Sequence, residues 1–89
     1  MHAVVARSKL HRFQRGREYL REHIVPRVAQ APGIVGAFWF EGPDDRVTSM
    51  LFFESEDVAR AMADQIPRES PGGVTTVESI EVGELVETA

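Results

Sequence analysis

The chain has 89 residues and a net charge of −4, with 43% hydrophobic and 27% charged residues, which predicts one globular domain over residues 1–89. It contains no cysteine, and this excludes disulfides and thiolate metal sites. No apolar run has the length of a membrane span and no signal-peptide layout is present, so we expect a cytoplasmic protein without membrane contact.

A strand and a long helix are predicted first. His2 to Ser8 is rich in valine and alanine, which suits a strand, and Ser8 is placed to cap the helix that follows. Apolar residues then recur at spacings of three and four, which predicts an amphipathic helix from about Leu10 to Gln30. They are Phe13, Gly16, Leu20, Ile24 and Val28. Pro26 removes a backbone donor within this helix and should kink or break it near Glu22–His23.

Two apolar strands follow the helix. Gly33 is predicted to end the first helix, because a residue at that position often takes a positive φ, which glycine adopts freely. Ile34–Glu41 and Val47–Glu54 are then predicted as the two strands of a hairpin, with a turn at residues 42–45. Both strands are apolar on both alternating faces, so both faces of the sheet should be covered. Helices can cover one face only, and in so short a chain the other face should meet a second subunit.

A second helix and a last strand complete the predicted order. Ser55 can cap this helix and Pro67 ends it. Its predicted buried stripe consists of Val58, Ala59, Met62 and Ile66. Residues 70–73 are predicted as a loop, and Val74–Val86 as a strand with a bulge or bend at Gly83. The order is β-α-β-β-α-β, which predicts an α+β domain.

Charge is unevenly divided along the chain. Residues 1–40 carry seven basic and two acidic side chains, a net charge of +5, whereas residues 41–89 carry three basic and twelve acidic ones, a net charge of −9. Nucleic-acid binding favours a clustered basic face with aromatic residues, but the arginines here are spread around the first helix and interrupted by Glu18 and Glu22. We therefore expect the two halves to attract each other, and no nucleic-acid partner.

Two runs of residues and the chain length resemble the dimeric α/β-barrel superfamily, and within it the antibiotic-biosynthesis-monooxygenase-like domains. The runs are Ala31-Pro32-Gly33-Ile34-Val35-Gly36 and Phe52-Phe53-Glu54-Ser55-Glu56-Asp57. The resemblance covers nearly the whole chain. It implies a ferredoxin-like subunit with an antiparallel sheet, a homodimeric barrel of two sheets packed face to face, and a pocket between each sheet and its own helices.

The functions implied by the resemblance include cofactor-independent oxygenation of phenols, haem degradation and small-molecule isomerisation, and some members have no known activity. The haem-degrading branch uses an Asn on the first strand, a Trp near the third and a His on the second helix. This chain has no Asn on the first strand, Phe52 and Phe53 in place of the Trp, and no His between Glu56 and Ile66. Haem degradation is therefore not expected.

A candidate catalytic pair lies on the first helix. His23 is near the Pro26 bend, beside the apolar stripe, and an imidazole there can act as general base on a phenol because it titrates near neutral pH. Tyr19 is four residues earlier and shares the same helix face. The alternative is that both rings lie at the edge of the helix with their polar tips in water.

Candidate ligand-binding residues are spread over several elements. Trp39 can stack a planar ligand, or it can pack in the dimer core. Arg7 and Arg27 can bind a carboxylate or phenolate, or they can pair with the acidic half of the chain. Three further apolar residues can line the same cleft or belong to the core: Met50, Phe52 and Met62.

No pattern for a metal or cofactor is present. His11 and His23 are about three helical turns apart, which is too far for one ion, and no glycine-rich phosphate loop precedes a helix. Two functions stay open. One is a cofactor-free monooxygenase for a small planar or phenolic metabolite, and the other is a non-catalytic homodimeric module that binds a small molecule or helps assembly.

Overall fold

The predicted order of strands and helices is confirmed in a computed structural model that describes residues 1–11, 13–68 and 73–89 and, within these, the side chains other than those of residues 13 and 14. The predicted contribution of Phe13 to the buried stripe lies outside the described side chains. The strands are β1 (His2–Leu10), β2 (Ile34–Glu41), β3 (Arg46–Phe53) and β4 (Thr75–Glu84). The helices are α1 (Phe13–Tyr19), α2 (Val25–Ala29) and α3 (Glu56–Gln65), with a π-helical turn at Leu20–Ile24 between α1 and α2.

The four strands form one antiparallel sheet in the order β2-β3-β1-β4. This order, with helices after β1 and β3, is compatible with a ferredoxin-like fold. All helices pack on the same face of the sheet, where alternate residues of each strand enter the core. Val4 of β1 and Leu51 of β3 are partners in register and are both buried there. Val28 and Ala59 complete this core from the helical side, together with Phe53.

The first strand is longer than predicted, and Ser8 does not cap the helix. Ser8 lies within β1, paired with Val47 on one side and Val77 on the other. The strand continues to Leu10, whose N–H donates to the carbonyl of Asp45 at 2.7 Å. A central strand gains backbone hydrogen bonds on both sides, and these outweigh a single side-chain cap.

Where the sequence predicts a kink or break, near Glu22–His23, the structure has the π-helical turn. The N–H of Val25 bonds to the carbonyl of Leu20, five residues back instead of four. Pro26 follows at once and has no N–H with which to continue an α-helical pattern towards Glu22. The helix therefore widens by one residue before the proline and resumes as α2.

Gly33 forms the exit from the helix as predicted. Its φ is +75°, a conformation that favours glycine, and a Cβ placed there would lie 3.2 Å from Cγ1 of Val58. Both backbone shape and the approach of α3 therefore require glycine at this position.

The β2–β3 hairpin closes through Asp44 and Asp45. Their φ values are +61° and +57°, and the N–H of Arg46 donates to the carbonyl of Pro43 at 3.3 Å. Two consecutive residues with positive φ define a type I′ turn, whose twist matches that of antiparallel strands. Because the turn is this tight, β3 begins at Arg46, one residue earlier than predicted.

The helix that follows β3, α3, begins at the predicted cap. Ser55 accepts a hydrogen bond through its Oγ from the N–H of Val58 at 3.3 Å, and the helix ends at Gln65, before Pro67.

The last strand is shorter than predicted, and the bulge is not at Gly83, which pairs regularly with Ala3. The register shifts at Arg7/Ser8, where β4 contributes one extra residue. The predicted loop at residues 70–73 lies outside the described residues apart from residue 73.

The face of the sheet opposite the helices is apolar on β2 and β3. Phe38 and Phe40 are 65% and 66% exposed, and Met50 of the neighbouring strand is 40% exposed. Phe52 completes this patch, with its ring 6.1 Å from that of Phe38 in an edge-to-face contact. We call these four residues the open-face patch. They show that the second apolar face predicted from the sequence is not covered by other residues of the described chain.

Ion pairs link the basic and acidic halves of the chain, as expected. On the open face, Arg7 of β1 pairs with Glu81 of β4 at 2.9 Å. On the helical face, Arg17 of α1 pairs with Glu41 at the end of β2 at 2.6 Å. The Arg17–Glu41 pair links α1 to β2, the strand at the edge of the sheet.

Candidate functional site

A cleft of about 400 Å³ lies between the helical face of the sheet and the helices. Its floor is formed by β1 and β3, and one wall by α1, the π-helical turn and α2. Met62 of α3 and Ile66, which follows the helix, line the opposite side, and Trp39 of β2 lies at the edge of the floor. Most of this lining is apolar, so the cleft suits a ligand with a large apolar surface.

The cleft exists because small residues occupy the floor. Trp39, Ser49 and Ala6 are successive partners across β2, β3 and β1, so they form one row on the helical face. Ser8 is the next residue of β1 on the same face and also lines the cleft. Alanine and serine are too short to reach the helices above them, and the large indole at the end of the row holds that space open on one side.

The helical wall comes from the region around the π-helical turn. Leu20 and Ile24 of that turn line the cleft, followed by Val28 of α2. Tyr19, the last residue of α1, lines it as well. The widened turn therefore contributes directly to the wall, which fits the frequent occurrence of π-helical turns at functional sites.

His23 lies outside the cleft. Its side chain is exposed and is not part of the lining, although its ring lies 5.1 Å from the ring of Tyr19, centroid to centroid. The two predicted partners do share a helix face, as their spacing required. Tyr19 turns towards the cleft, and His23 packs against it from outside.

Trp39 carries a polar group that the described residues leave unpaired. Its ring packs against the buried core and lines the cleft, and its Nε1 is buried without a hydrogen-bond partner. Ser49, its neighbour across the strand pair, does not accept this hydrogen bond. A buried N–H without an acceptor costs free energy that a suitable partner recovers.

The cleft opens where its lining residues are exposed. Arg27 and Gln30 mark the opening on the side of α2, and Gln65 and Pro67 mark it on the side of α3. Among the described residues, Arg27 is the charged residue of the lining, and no carboxylate lines the cleft. Arg27 therefore places one positive charge at this opening.

A smaller hollow of about 300 Å³ lies on the other side of Trp39. Arg17 and Glu41 line it and form a bidentate pair, with Nη2–Oε1 and Nε–Oε2 distances of 2.6 and 3.1 Å. The hydrogen bonds that Arg17 donates to the carboxylate of Glu41, together with the negative charge of that carboxylate, raise the pKa of Arg17 above its ordinary value. This pair links α1 to the end of β2 next to Trp39.

The structure brings together some of the predicted site residues and separates others. Tyr19, Arg27, Trp39 and Met62 all line the cleft. Three others lie on the open face: Arg7, Met50 and Phe52. Met50 and Phe52 alternate along β3 with Ser49 and Leu51, which face the helices, so strand geometry excludes them from the cleft. Arg7 is on the same open face and is paired with Glu81.

Sequence reasoning missed the floor of the cleft. Ala6, Ser8 and Ser49 attract no attention as single residues, but they are small residues at alternate positions of the two central strands. Once the strand order is known, small residues facing a helix layer are a signal of a cavity. The sequence alone does not indicate that β1 pairs with β3, so the row of Trp39, Ser49 and Ala6 could not be predicted from it.

Neither a metal centre nor a membrane span is found in the described part of the chain. No group of three or more His, Cys, Asp or Glu side chains there is placed to hold a metal ion. No helix within it combines the length and the apolar character needed to cross a bilayer. Comparisons with known protein families and with curated proteins find no match for this chain. The likeness to the antibiotic-biosynthesis-monooxygenase-like domains therefore stays a resemblance.

Proposed function

We propose that this protein binds a small planar, largely apolar metabolite in the cleft between sheet and helices. The observation that carries the proposal is the row Trp39–Ser49–Ala6, which leaves an apolar space of about 400 Å³ beneath the helices. Protein sites for small molecules have volumes of about 300–1,000 Å³ and combine apolar walls with a few polar groups. Here the aromatic rings of Trp39 and Tyr19 are suited to contact a planar ligand.

We also propose that the working form is a homodimer in which two sheets pack through the open-face patch. Phe38, Phe40, Met50 and Phe52 form a contiguous apolar surface on β2 and β3, and such surfaces mark interaction sites. The other half of the same face carries ion pairs such as Arg7–Glu81. A second copy would supply both an apolar partner for the patch and polar partners for its border, as the resemblance to dimeric barrels implies.

Oxygenation of a phenolic ligand is the activity that the resemblance favours. A phenolate held in an apolar site can transfer electrons to oxygen. One oxygen atom then enters the ring, the other leaves as water, and the phenol becomes a quinone without any further oxidant. Tyr19 lies between His23 and the cleft, so in this proposal His23 acts on the ligand through Tyr19. Trp39 would pack against the aromatic ring of the ligand, and Arg27 would orient the phenolate oxygen of the ligand.

A non-catalytic binding function is the second candidate, and the position of His23 favours it. The imidazole is exposed and outside the cleft lining, so no histidine of the described residues faces the ligand space directly. A general base must come within hydrogen-bonding reach of the proton it removes, either directly or through one intermediate group. The cleft and the dimer are common to both candidates.

Calorimetric titration with 1-naphthol tests whether the cleft binds a planar phenol. Ser49→Leu should abolish binding because the added side chain occupies the floor of the cleft. Ala61→Leu is the control, because Ala61 is exposed on α3, away from the cleft lining and from the open face of the sheet. Equal binding by wild type and Ser49→Leu would place the ligand elsewhere and would contradict the proposal.

Oxygen uptake separates the two candidate functions. If the protein is an oxygenase, wild type should consume oxygen and form a quinone from 1-naphthol. His23→Ala should then lower kcat by about 100-fold, in the range expected for loss of a general base. Tight binding without oxygen uptake, in wild type and in His23→Ala alike, would assign the non-catalytic function.

A further inference from the structure

Two hydroxyl groups on the floor of the cleft narrow the chemistry of the ligand. We infer that the ligand carries an uncharged oxygen, a hydroxyl or a carbonyl, on the edge of its ring system that meets the floor, and that Ser8 and Ser49 bind this oxygen. This inference rests on the proposed ligand-binding function. It specifies the class of ligand and names the two residues that select it.

The two serines are neighbours on the floor, and both line the cleft. Ser8 of β1 pairs with Val47 of β3, and Ser49 follows two residues later on the same face of β3. The serines are therefore diagonal neighbours across the strand pair, and the Cβ atoms of such neighbours are about 7 Å apart or less. One ligand oxygen between them can reach both hydroxyl groups.

Both hydroxyl groups are unpaired and accessible. Within the part of the chain that the structure describes, neither serine side chain takes part in a hydrogen bond. The buried side-chain atoms that lack a partner there are Nδ1 of His2 and Nε1 of Trp39. The serine oxygens are not among these sealed atoms, so each keeps contact with open space. Because both side chains are on the helical face, that space is the cleft.

A serine hydroxyl both donates and accepts hydrogen bonds, so it pairs with either a hydroxyl or a carbonyl of a ligand. A hydrocarbon edge in the same place would cover both hydroxyl groups and leave them without partners, which costs free energy. When no ligand is bound, water can bond to these groups. A ligand oxygen replaces that hydrogen bond, whereas a methyl group does not.

The floor offers no charged group to a ligand. Among the described residues of the lining, Arg27 is the charged one, and it is exposed at the opening. An ionised group on the floor would lose its hydration and meet only neutral hydroxyl groups. Burying an unpaired charge costs far more free energy than burying a neutral polar group. The oxygen that meets the floor is therefore uncharged.

Two ligands of nearly the same shape test this inference: 2-naphthol and 2-methylnaphthalene, which differ by a hydroxyl in place of a methyl group. Ser8→Ala and Ser49→Ala remove the hydroxyl groups of the floor but keep its space. Each should weaken the binding of 2-naphthol about fivefold, the usual contribution of one hydrogen bond, and should leave the binding of 2-methylnaphthalene unchanged or tighter. Titrations followed by naphthyl fluorescence measure the affinities. Comparison of variant with wild type for the same ligand cancels the difference in hydration between the ligands.

Ser79→Ala is the matched control, since Ser79 is also a half-buried serine within a strand but is not part of the cleft lining. It should leave both affinities unchanged. Loss of binding in Ser49→Leu, which fills the floor, shows in the same titrations that the ligands occupy the cleft. Urea unfolding shows that each variant is folded.

Serine-to-alanine changes that weaken the binding of both ligands equally, or of neither, would overturn the inference while binding in the cleft stands. A wild type that binds neither ligand would overturn the proposed binding function itself.

Discussion

Trp39 links the core of this protein to its cleft. Its ring packs against buried residues on one side and lines the ligand space on the other, while its Nε1 has no acceptor. One aromatic ring therefore belongs both to the packed core and to the wall of the cleft.

The hairpin turn gives a prediction about stability. Asp45 adopts a φ of +57°, which costs an L-residue more than it costs glycine. Asp45→Gly should raise the free energy of unfolding by about 0.5 kcal/mol, because relief of strain exceeds the added freedom of the unfolded chain. Asp45→Ala should lower it, since alanine lacks the polar side chain that helps aspartate tolerate this region. Urea unfolding of the three proteins measures both changes, and a gain with alanine would contradict this account of the turn.

Glu78 gives a prediction about pH. Hydrogen bonds from Arg46 lower the pKa of the Glu78 carboxyl below its ordinary value; partial burial opposes this shift, and the charges of Arg46, Lys9 and His11 add to it. Since the carboxyl has a lower pKa in the folded state, its contribution to stability is present above about pH 4.5 and is lost as the pH falls through the folded-state pKa. Wild type should be more stable than Glu78→Gln at about pH 7, and the difference should shrink at about pH 3. A difference that is the same at both pH values would exclude this linkage.

Among the helices and strands, α1 can lie close to the end of β1 because residue 16 is a glycine. From the sequence alone, Gly16 is only one member of the apolar stripe of the first helix. Gly16 is buried, and a Cβ there would lie 3.0 Å from Cδ2 of Leu10 and 3.2 Å from its Cβ. Leu10 is itself only 4% exposed and has little space to move. Close contact of α1 with the end of β1 therefore requires glycine.

Gly16→Ala should destabilise the protein by about 1 kcal/mol, because overpacking costs about 1–3 kcal/mol and improved helix propensity returns about 1 kcal/mol. Gly83→Ala is the control, since a Cβ at Gly83 would have no neighbour within 4 Å. Its effect should stay within about 0.5 kcal/mol. Thermal unfolding measures both, and a Gly16→Ala variant as stable as wild type would show that the contact is loose.

Elements with local signals were predicted well from the sequence. The bounds of β2 were predicted in full because Gly33 and the turn residues mark both of its ends. Ser55 was recognised as a cap because a polar residue there precedes a carboxylate-rich first turn. The prediction that Ser8 caps a helix was wrong, although it rested on a similar local pattern. A serine just before a helical pattern resembles a cap, and only the pairing of β1 on both sides shows that Ser8 belongs to the strand.

The candidate site was only partly predictable, because it depends on which strand faces which neighbour. Trp39, Tyr19, Arg27 and Met62 were identified and lie on one cleft. Met50 and Phe52 were grouped with them, but a single strand position decides whether a side chain faces the helices or the open face. The small floor residues give no signal without the strand order.

At the scale of the whole molecule, the structure has one covered and one uncovered face of the sheet. The open-face patch leaves two phenylalanine rings about two-thirds exposed, which is unusual for a surface that meets only water. Burial against a second copy would remove this apolar area from solvent, and a chain of this size gains much of its stability from such burial.

Phe40→Glu should convert the dimer to a monomer, because it places a charge within the proposed sheet-to-sheet contact. Ala61→Lys is the control, since Ala61 is exposed on α3, on the helical side of the sheet. Sedimentation velocity should show a dimer for wild type and for Ala61→Lys, and a monomer for Phe40→Glu. A monomeric wild type at micromolar concentration would contradict the proposed dimer.

If the proposal holds, a planar phenol occupies the cleft and not the open-face patch. A crystal structure of the protein with 1-naphthol decides between these two surfaces, since both are present in one experiment. We predict the naphthyl ring between Trp39 and the helical wall of the cleft. A ring bound instead between Phe38 and Phe40, with the cleft left unchanged, would contradict the account.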